Sequence, residues 1–102
     1  KYIQENYYKK ITLQILAEKF YLSAAQCSNI LKQHMEKGLN AYLMEIRIRK
    51  AKELLDKTEM SVEQISKEVG YPNPKYFFRM FKQATTFTPI EYRKREGRND
   101  VL

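Results

Sequence analysis

Between Ser61 and Tyr92 the apolar residues fall into two short stripes at helical spacing. Val62, Ile65 and Val69 follow Ser61, whose hydroxyl can cap the first turn while Gln64, three residues on, reaches back as a capping box. Gly70 ends that helix. Asn73 caps the next one, Pro74 fits its first turn, and Phe77, Met80, Phe81 and Ala84 form its apolar stripe. The polar stripe opposite is Lys75, Phe78, Arg79 and Lys82. The turn between these helices is too short for anything but a sharp reversal, so the segment reads as helix-turn-helix. A helix held by a partner on one face, with cations on the other, is physically equipped to enter a DNA major groove.

The same pattern occurs earlier in the chain. Leu13, Leu16 and Phe20 align with Val62, Ile65 and Val69 at a displacement of 49, and Leu31, Lys32 and Tyr42 align with Phe81, Lys82 and Tyr92 at a displacement of 50. The single added residue falls in the turn, as a duplicated helix-turn-helix allows. In this first copy Thr12 is the expected cap and Leu13, Leu16, Ala17 and Phe20 the buried stripe, with the turn at Tyr21-Leu22. Ser23 and Gln26 have capping-box spacing, Cys27, Ile30 and Leu31 are expected to point inward, and Ala25, Ser28, Asn29 and Lys32 occupy the outer stripe.

Asn40 to Asp56 contains no proline or glycine and reads as one continuous helix, with Tyr42, Leu43, Ile46, Ile48, Ala51, Leu54 and Leu55 as its apolar positions. Seventeen helical residues span about 25 Å, comparable to one DNA turn of about 34 Å, so two successive major grooves on one face are within reach. Arg47, Arg49, Lys50 and Lys52 on this helix are phosphate candidates, or a solvated face partnered by Glu45 and Glu53. At the ends, Tyr2, Ile3, Tyr7 and Tyr8 suggest a first helix covering copy one, and Thr88-Pro89-Ile90-Glu91 is a capping box starting a last helix. Arg93, Lys94, Arg95 and Arg98 are either further phosphate contacts or a disordered basic tail, and residues 97–102 are expected to fray.

The second copy also carries a family resemblance. G-Y-x-N-x-x-Y-F-x-R-x-F-K followed by T-P-x-E-Y-R, spelled by Gly70, Tyr71, Asn73, Tyr76, Phe77, Arg79, Phe81, Lys82, Thr88, Pro89, Glu91, Tyr92 and Arg93, resembles the second-motif signature of AraC-type transcription regulators. RIRKAKELL resembles that family's linker helix, and the resemblance covers nearly the full chain. It implies an all-α fold of about seven helices, with two helix-turn-helix subdomains (1–39 and 57–102) joined by a linker helix (40–56). Thr86 departs from the family's usual glycine, implying either strain or a different exit from the recognition helix. Copy one departs further: Leu31 replaces the usual aromatic, Glu36 the usual glycine, and no arginine stands on its outer stripe.

Composition agrees with a binder of polyanions: 19 Lys and Arg against 12 Asp and Glu give a net charge of +7 and a pI of about 9.5. With 102 residues, 43% of them hydrophobic, the chain holds one ordinary domain or two very small helical ones. No apolar run approaches the ~20 residues of a membrane span and no signal peptide is visible, so a cytoplasmic location without membrane partners is expected. Catalytic chemistry finds no foothold in one histidine, one cysteine, and neither a Gly-rich phosphate loop nor a Cys pair. His34 and Cys27 fall short of the four ligands usual for zinc, so neither metal nor cofactor is expected. The AraC-type module also occurs fused to a DNA-repair methyltransferase, but Cys27 lies within a helix, outside that enzyme's reactive context.

The expected DNA-contacting residues are therefore Ala25, Ser28, Asn29 and Lys32 in copy one and Lys75, Phe78, Arg79 and Lys82 in copy two. Arg79 can fork onto guanine O6 and N7, Lys75 can reach a base or a phosphate, and the Asn29 amide can pair with adenine N6 and N7. Phe78 either packs on a thymine methyl or sugar, or on its own neighbours. Double-stranded DNA is the expected partner, RNA polymerase a candidate one, and the resemblance implies a further N-terminal sensor domain or a receiver domain of a two-component system. The competing reading is a protein-interaction module that kept the fold and lost DNA binding.

Overall fold

In the computed structural model, which describes residues 2–95, seven helices and no strands are found among the described residues. They are α1 (Tyr2–Asn6), α2 (Leu13–Phe20), α3 (Ala24–Met35), α4 (Leu39–Lys57), α5 (Val62–Glu68), α6 (Pro74–Thr85) and α7 (Pro89–Lys94). Side-chain caps set five of the starts. Thr12 Oγ1 accepts the Ile15 N–H at 3.1 Å and Asn73 Oδ1 that of Lys75 at 3.0 Å, while Ser23–Gln26, Ser61–Gln64 and Thr88–Glu91 close reciprocal capping boxes. Each such cap contributes about 0.5–2 kcal/mol, which matters for helices as short as these.

The duplication is visible in the backbone. Helices α3 and α6 have the same length, start 50 residues apart, and both leave through a left-handed residue, Glu36 (φ 59°) and Thr86 (φ 69°). Thr86 thus keeps the left-handed exit despite its branched Cβ, at a strain of about 1 kcal/mol or more. The preceding Thr85 hydroxyl brackets that exit, accepting the Phe87 N–H at 3.1 Å and lying 2.9 Å from the Phe81 carbonyl it can donate to. In the two turns, Tyr21 (φ 59°) stands where Gly70 (φ 103°) stands 49 residues later, and the N–H groups of Leu22 and Tyr71 donate to Ala17 and Ser66 at 2.8 Å each. Displacement then becomes 50 at Ser23 and Asn73, so the added residue is Pro72.

Packing divides the chain into two units that meet between Ile46 and Arg47, within α4. The first unit buries Ile3, Ile11, Leu16, Ala17, Cys27, Leu39, Tyr42, Leu43 and Ile46 in one cluster. Gln4 Nε2 donates to the Tyr42 hydroxyl at 3.2 Å, and Lys37 pairs with Glu45 at 2.6 Å. Two residues expected inside this unit are not. Phe20, the last residue of α2, is 49% exposed and meets Tyr2 edge-on at 5.9 Å, because the left-handed Tyr21 turns the chain away immediately after it. Ile30 is 43% exposed: the buried line of α3 is Cys27 with half-buried Leu31, and Ile30 lies about 100° round the helix from Leu31.

The second unit buries Ile48, Ala51 and Leu55 of α4 with Ile65, Val69, Tyr71, Phe77, Phe81 and Pro89. Ring contacts run from Tyr71 to Phe77 (5.8 Å), Phe77 to Phe81 (5.7 Å) and Phe81 to Tyr92 (5.3 Å), in tilted or edge-on geometry. Ser66 is fully buried and satisfied by donating to the Tyr71 carbonyl. Ala84, expected on the buried stripe, is exposed in the last turn of α6, beyond these rings.

Two cations read as phosphate candidates are engaged in holding α7 to the end of α4. Arg93 donates from Nε to the Leu55 carbonyl and from Nη2 to that of Thr58, both at 3.1 Å, satisfying acceptors at the helix terminus. Arg95 forks onto Asp56 at 3.0 and 3.3 Å and stacks 3.6 Å from the Tyr92 ring centre. Lys94 is exposed. Arg98 and the 97–102 segment lie outside the described residues.

Candidate nucleic-acid interface

Helix α6 is fixed in rotation by its inner face. Phe77 and Phe81, one helical turn apart, are fully buried, which directs Lys75, Arg79 and Lys82 to solvent, where all three are exposed. Its Asn73 cap and Pro74 at the first position define where the stripe begins. The Arg79 guanidinium lies 5.5 Å from the ring centre of Tyr76, three residues before it, so a cation–π contact restrains the longest side chain on the stripe. Tyr76 in turn touches Tyr71 at 5.7 Å, and the Arg47 guanidinium lies 5.3 Å over the Tyr71 ring. Burial raises the Tyr71 phenol above its ordinary pKa and Arg47 pulls the other way, so the ring is neutral at physiological pH.

The corresponding surface of α3 is built from smaller parts. Ala25, Asn29 and Lys32 are exposed and Ser28 is half-buried, matching Phe78, which is half-buried 50 residues later. The α3 stripe carries one cation against the three of α6. Each set of four residues is brought onto one face of its own helix. The support that Tyr76 gives Arg79 was not foreseen from sequence, although its signal, an aromatic three residues before an arginine on a helix, is present there.

Also unforeseen is a hollow of about 600 Å³ beside the first turns of α6, lined by Ser61, Val62, Glu63, Pro74, Lys75, Phe78 and Ile90. Three of these come from the start of α5 and one from α7, positions distant in sequence from the stripe they adjoin. Among the α4 cations, Lys50 lies 3.8 Å from Glu53, Arg47 covers Tyr71, and Arg49 is exposed. Cys27 is buried and unpaired, His34 is exposed, and among the described residues no three His, Cys, Asp or Glu side chains converge as metal ligands would. No helix among the described residues is long and apolar enough to cross a membrane.

A family model described as a helix-turn-helix domain matches residues 16–95. An uncharacterized HTH-type transcriptional regulator of Bacillus subtilis, YdeC, is 36% identical over 93 residues, covering 91% of this chain and 32% of that protein. The C-terminal domain of AraT, a response regulator from Geobacillus stearothermophilus, superimposes with a TM-score of 0.88 at 35% identity, over 91% of this chain and 78% of that one. The C-terminal domain of the two-component response regulator yesN from Fusobacterium nucleatum gives 0.86 at 35% identity, over 90% of each chain. This chain spans about a third of the length of the curated relatives it matches.

Proposed function

Because the chain belongs to the AraC-type family of helix-turn-helix DNA-binding domains, we propose that it binds duplex DNA sequence-specifically as the output domain of a bacterial transcription regulator. The observation that carries this reading is the stripe Lys75–Arg79–Lys82, exposed on a helix whose opposite face is locked by Phe77 and Phe81. In the proposed complex α6 and α3 take successive major grooves, with α4, 19 residues without a break, as the spacer. Arg79 reads guanine, Asn29 reads adenine, and Lys32, Lys75 and Lys82 neutralise phosphate or reach a base edge. Ala25, Ser28 and Phe78 shape the contact surface. The whole protein adds a sensor or receiver domain and acts in the cytoplasm, with RNA polymerase as its downstream partner. AraT and yesN are both response regulators, which favours the receiver.

The second copy dominates recognition in this reading, because its stripe has three cations, one of them a braced arginine, where the first has one lysine and an asparagine. On a defined site Arg79→Ala is expected to cost about 1–3 kcal/mol and to relax discrimination at one base pair. Asn29→Ala costs less, and only over an adenine in the other half of the site. Affinities of both variants for the matched site and its single-base-pair variants test this. Unchanged binding by Arg79→Ala together with lost binding by Asn29→Ala would reverse the assignment. An absence of duplex binding by the parent chain would instead favour the protein-interaction module.

A further inference from the structure

Phe78 is the single apolar residue on the outer stripe of α6; it is half-buried, and it forms one wall of the hollow at the start of that helix. Pro74, Val62 and Ile90 supply the other apolar parts of the lining, and Ser61, Glu63 and Lys75 its polar ones. Ile90 is 48% exposed, a large apolar surface left open on a helix that its buried neighbour Pro89 and its capping box hold in place. Resting on the DNA-binding reading above, we propose that this hollow seats the C5 methyl group of a thymine, making Phe78 and Ile90 specificity-determining residues.

The chemistry of the major groove narrows the occupant. Beside their donors and acceptors, base edges there offer only small C–H positions apart from the thymine methyl, the one bulky apolar group that an apolar hollow can recognise. Lys75 is part of the lining, so a base edge met by that side chain lies beside the hollow. Glu63 in the lining weighs against the sugar-phosphate backbone as occupant, since a carboxylate beside a phosphate is repulsive. The duplication supplies an internal control. At the matching positions of copy one, Phe78 becomes Ser28, Ile90 becomes Asn40, Lys75 becomes Ala25 and Pro74 becomes Ala24. The two largest apolar walls are replaced by polar side chains, so a methyl seat built this way belongs to the second copy.

The test uses this chain and a duplex it has selected from a randomised pool, with each thymine replaced in turn by deoxyuridine, which removes only the methyl group. One thymine in the half-site read by α6 should show a loss of about fourfold, the size set by burying one methyl group. Phe78→Ala should bind the thymine and deoxyuridine duplexes equally, and Ile90→Ala, at a half-exposed position that spares the core, should do the same. Phe78→Leu should retain part of the discrimination. If the chain binds the duplex but no thymine shows a loss that depends on Phe78 or Ile90, the hollow serves another occupant, such as a protein segment, and the proposal is overturned while the DNA reading stands. If no duplex is selected, both fall together.

Discussion

Raising salt from about 50 to about 200 mM is expected to weaken binding of this chain to its preferred duplex by about 10²- to 10³-fold, the loss for roughly five neutralised phosphates. Exposed cations available for this are Lys32, Arg49, Lys75, Lys82 and Lys94. Arg93 and Arg95 are excluded, because their guanidinium groups already bind the end of α4 and Asp56. A fluorescence-anisotropy titration across a salt series measures the slope. Lys82→Ala should make it shallower by about one phosphate, whereas Arg79→Ala, if the arginine reads a base, should lower affinity without changing the slope. A flat dependence would mean that the net charge of +7 is a property of the surface rather than of an interface.

Phe81→Ala should be the most damaging single truncation in the second unit, costing about 3–5 kcal/mol. Phe81 is fully buried, contacts Phe77 and Tyr92 within 6 Å between ring centres, and lies on the inner face that aims Arg79 outward. Such a loss is a large part of the ~5–15 kcal/mol that stabilises an ordinary domain, and a unit this small has less than most. Urea unfolding followed by circular dichroism should show the drop, with duplex binding lost in parallel. Phe78→Ala, by contrast, removes a half-buried wall of a surface hollow and should leave the unfolding midpoint nearly unchanged. Similar midpoints for the two variants would contradict the assignment of inner and outer faces.

The helix boundaries were legible because capping is local chemistry. Ser23, Ser61, Asn73 and Thr88 each satisfy an N–H two or three residues away, within reach of any sequence reading. Inner and outer faces were legible for α6, whose stripe is strongly amphipathic, and less so for α2 and α3. There Phe20 and Ile30 keep helical spacing yet are exposed, since spacing alone does not say where a short helix loses its cover. The exit at Thr86 was ambiguous: a left-handed conformation at a branched residue is retained only because surrounding structure, including the Thr85 bracket, overrides the local preference. Arg93 and Arg95 were opaque for a different reason. Their partners Leu55, Thr58 and Asp56 are 35 to 39 residues away, so nothing in their own segment distinguishes a structural arginine from a phosphate-binding one. The Phe78 hollow, assembled from three helices, was equally out of reach, although an aromatic on a cationic stripe marked the spot.

The central claim, sequence-specific duplex binding through two helix-turn-helix units, is tested most directly by selecting duplexes from a randomised pool with this chain and comparing the winner with its scrambled form. The expected product is a bipartite motif whose two clusters are centred about 10–10.5 base pairs apart, bound about 10³-fold more tightly than the scrambled duplex. Equal affinity for the two, or a selected motif with a single cluster, would contradict it.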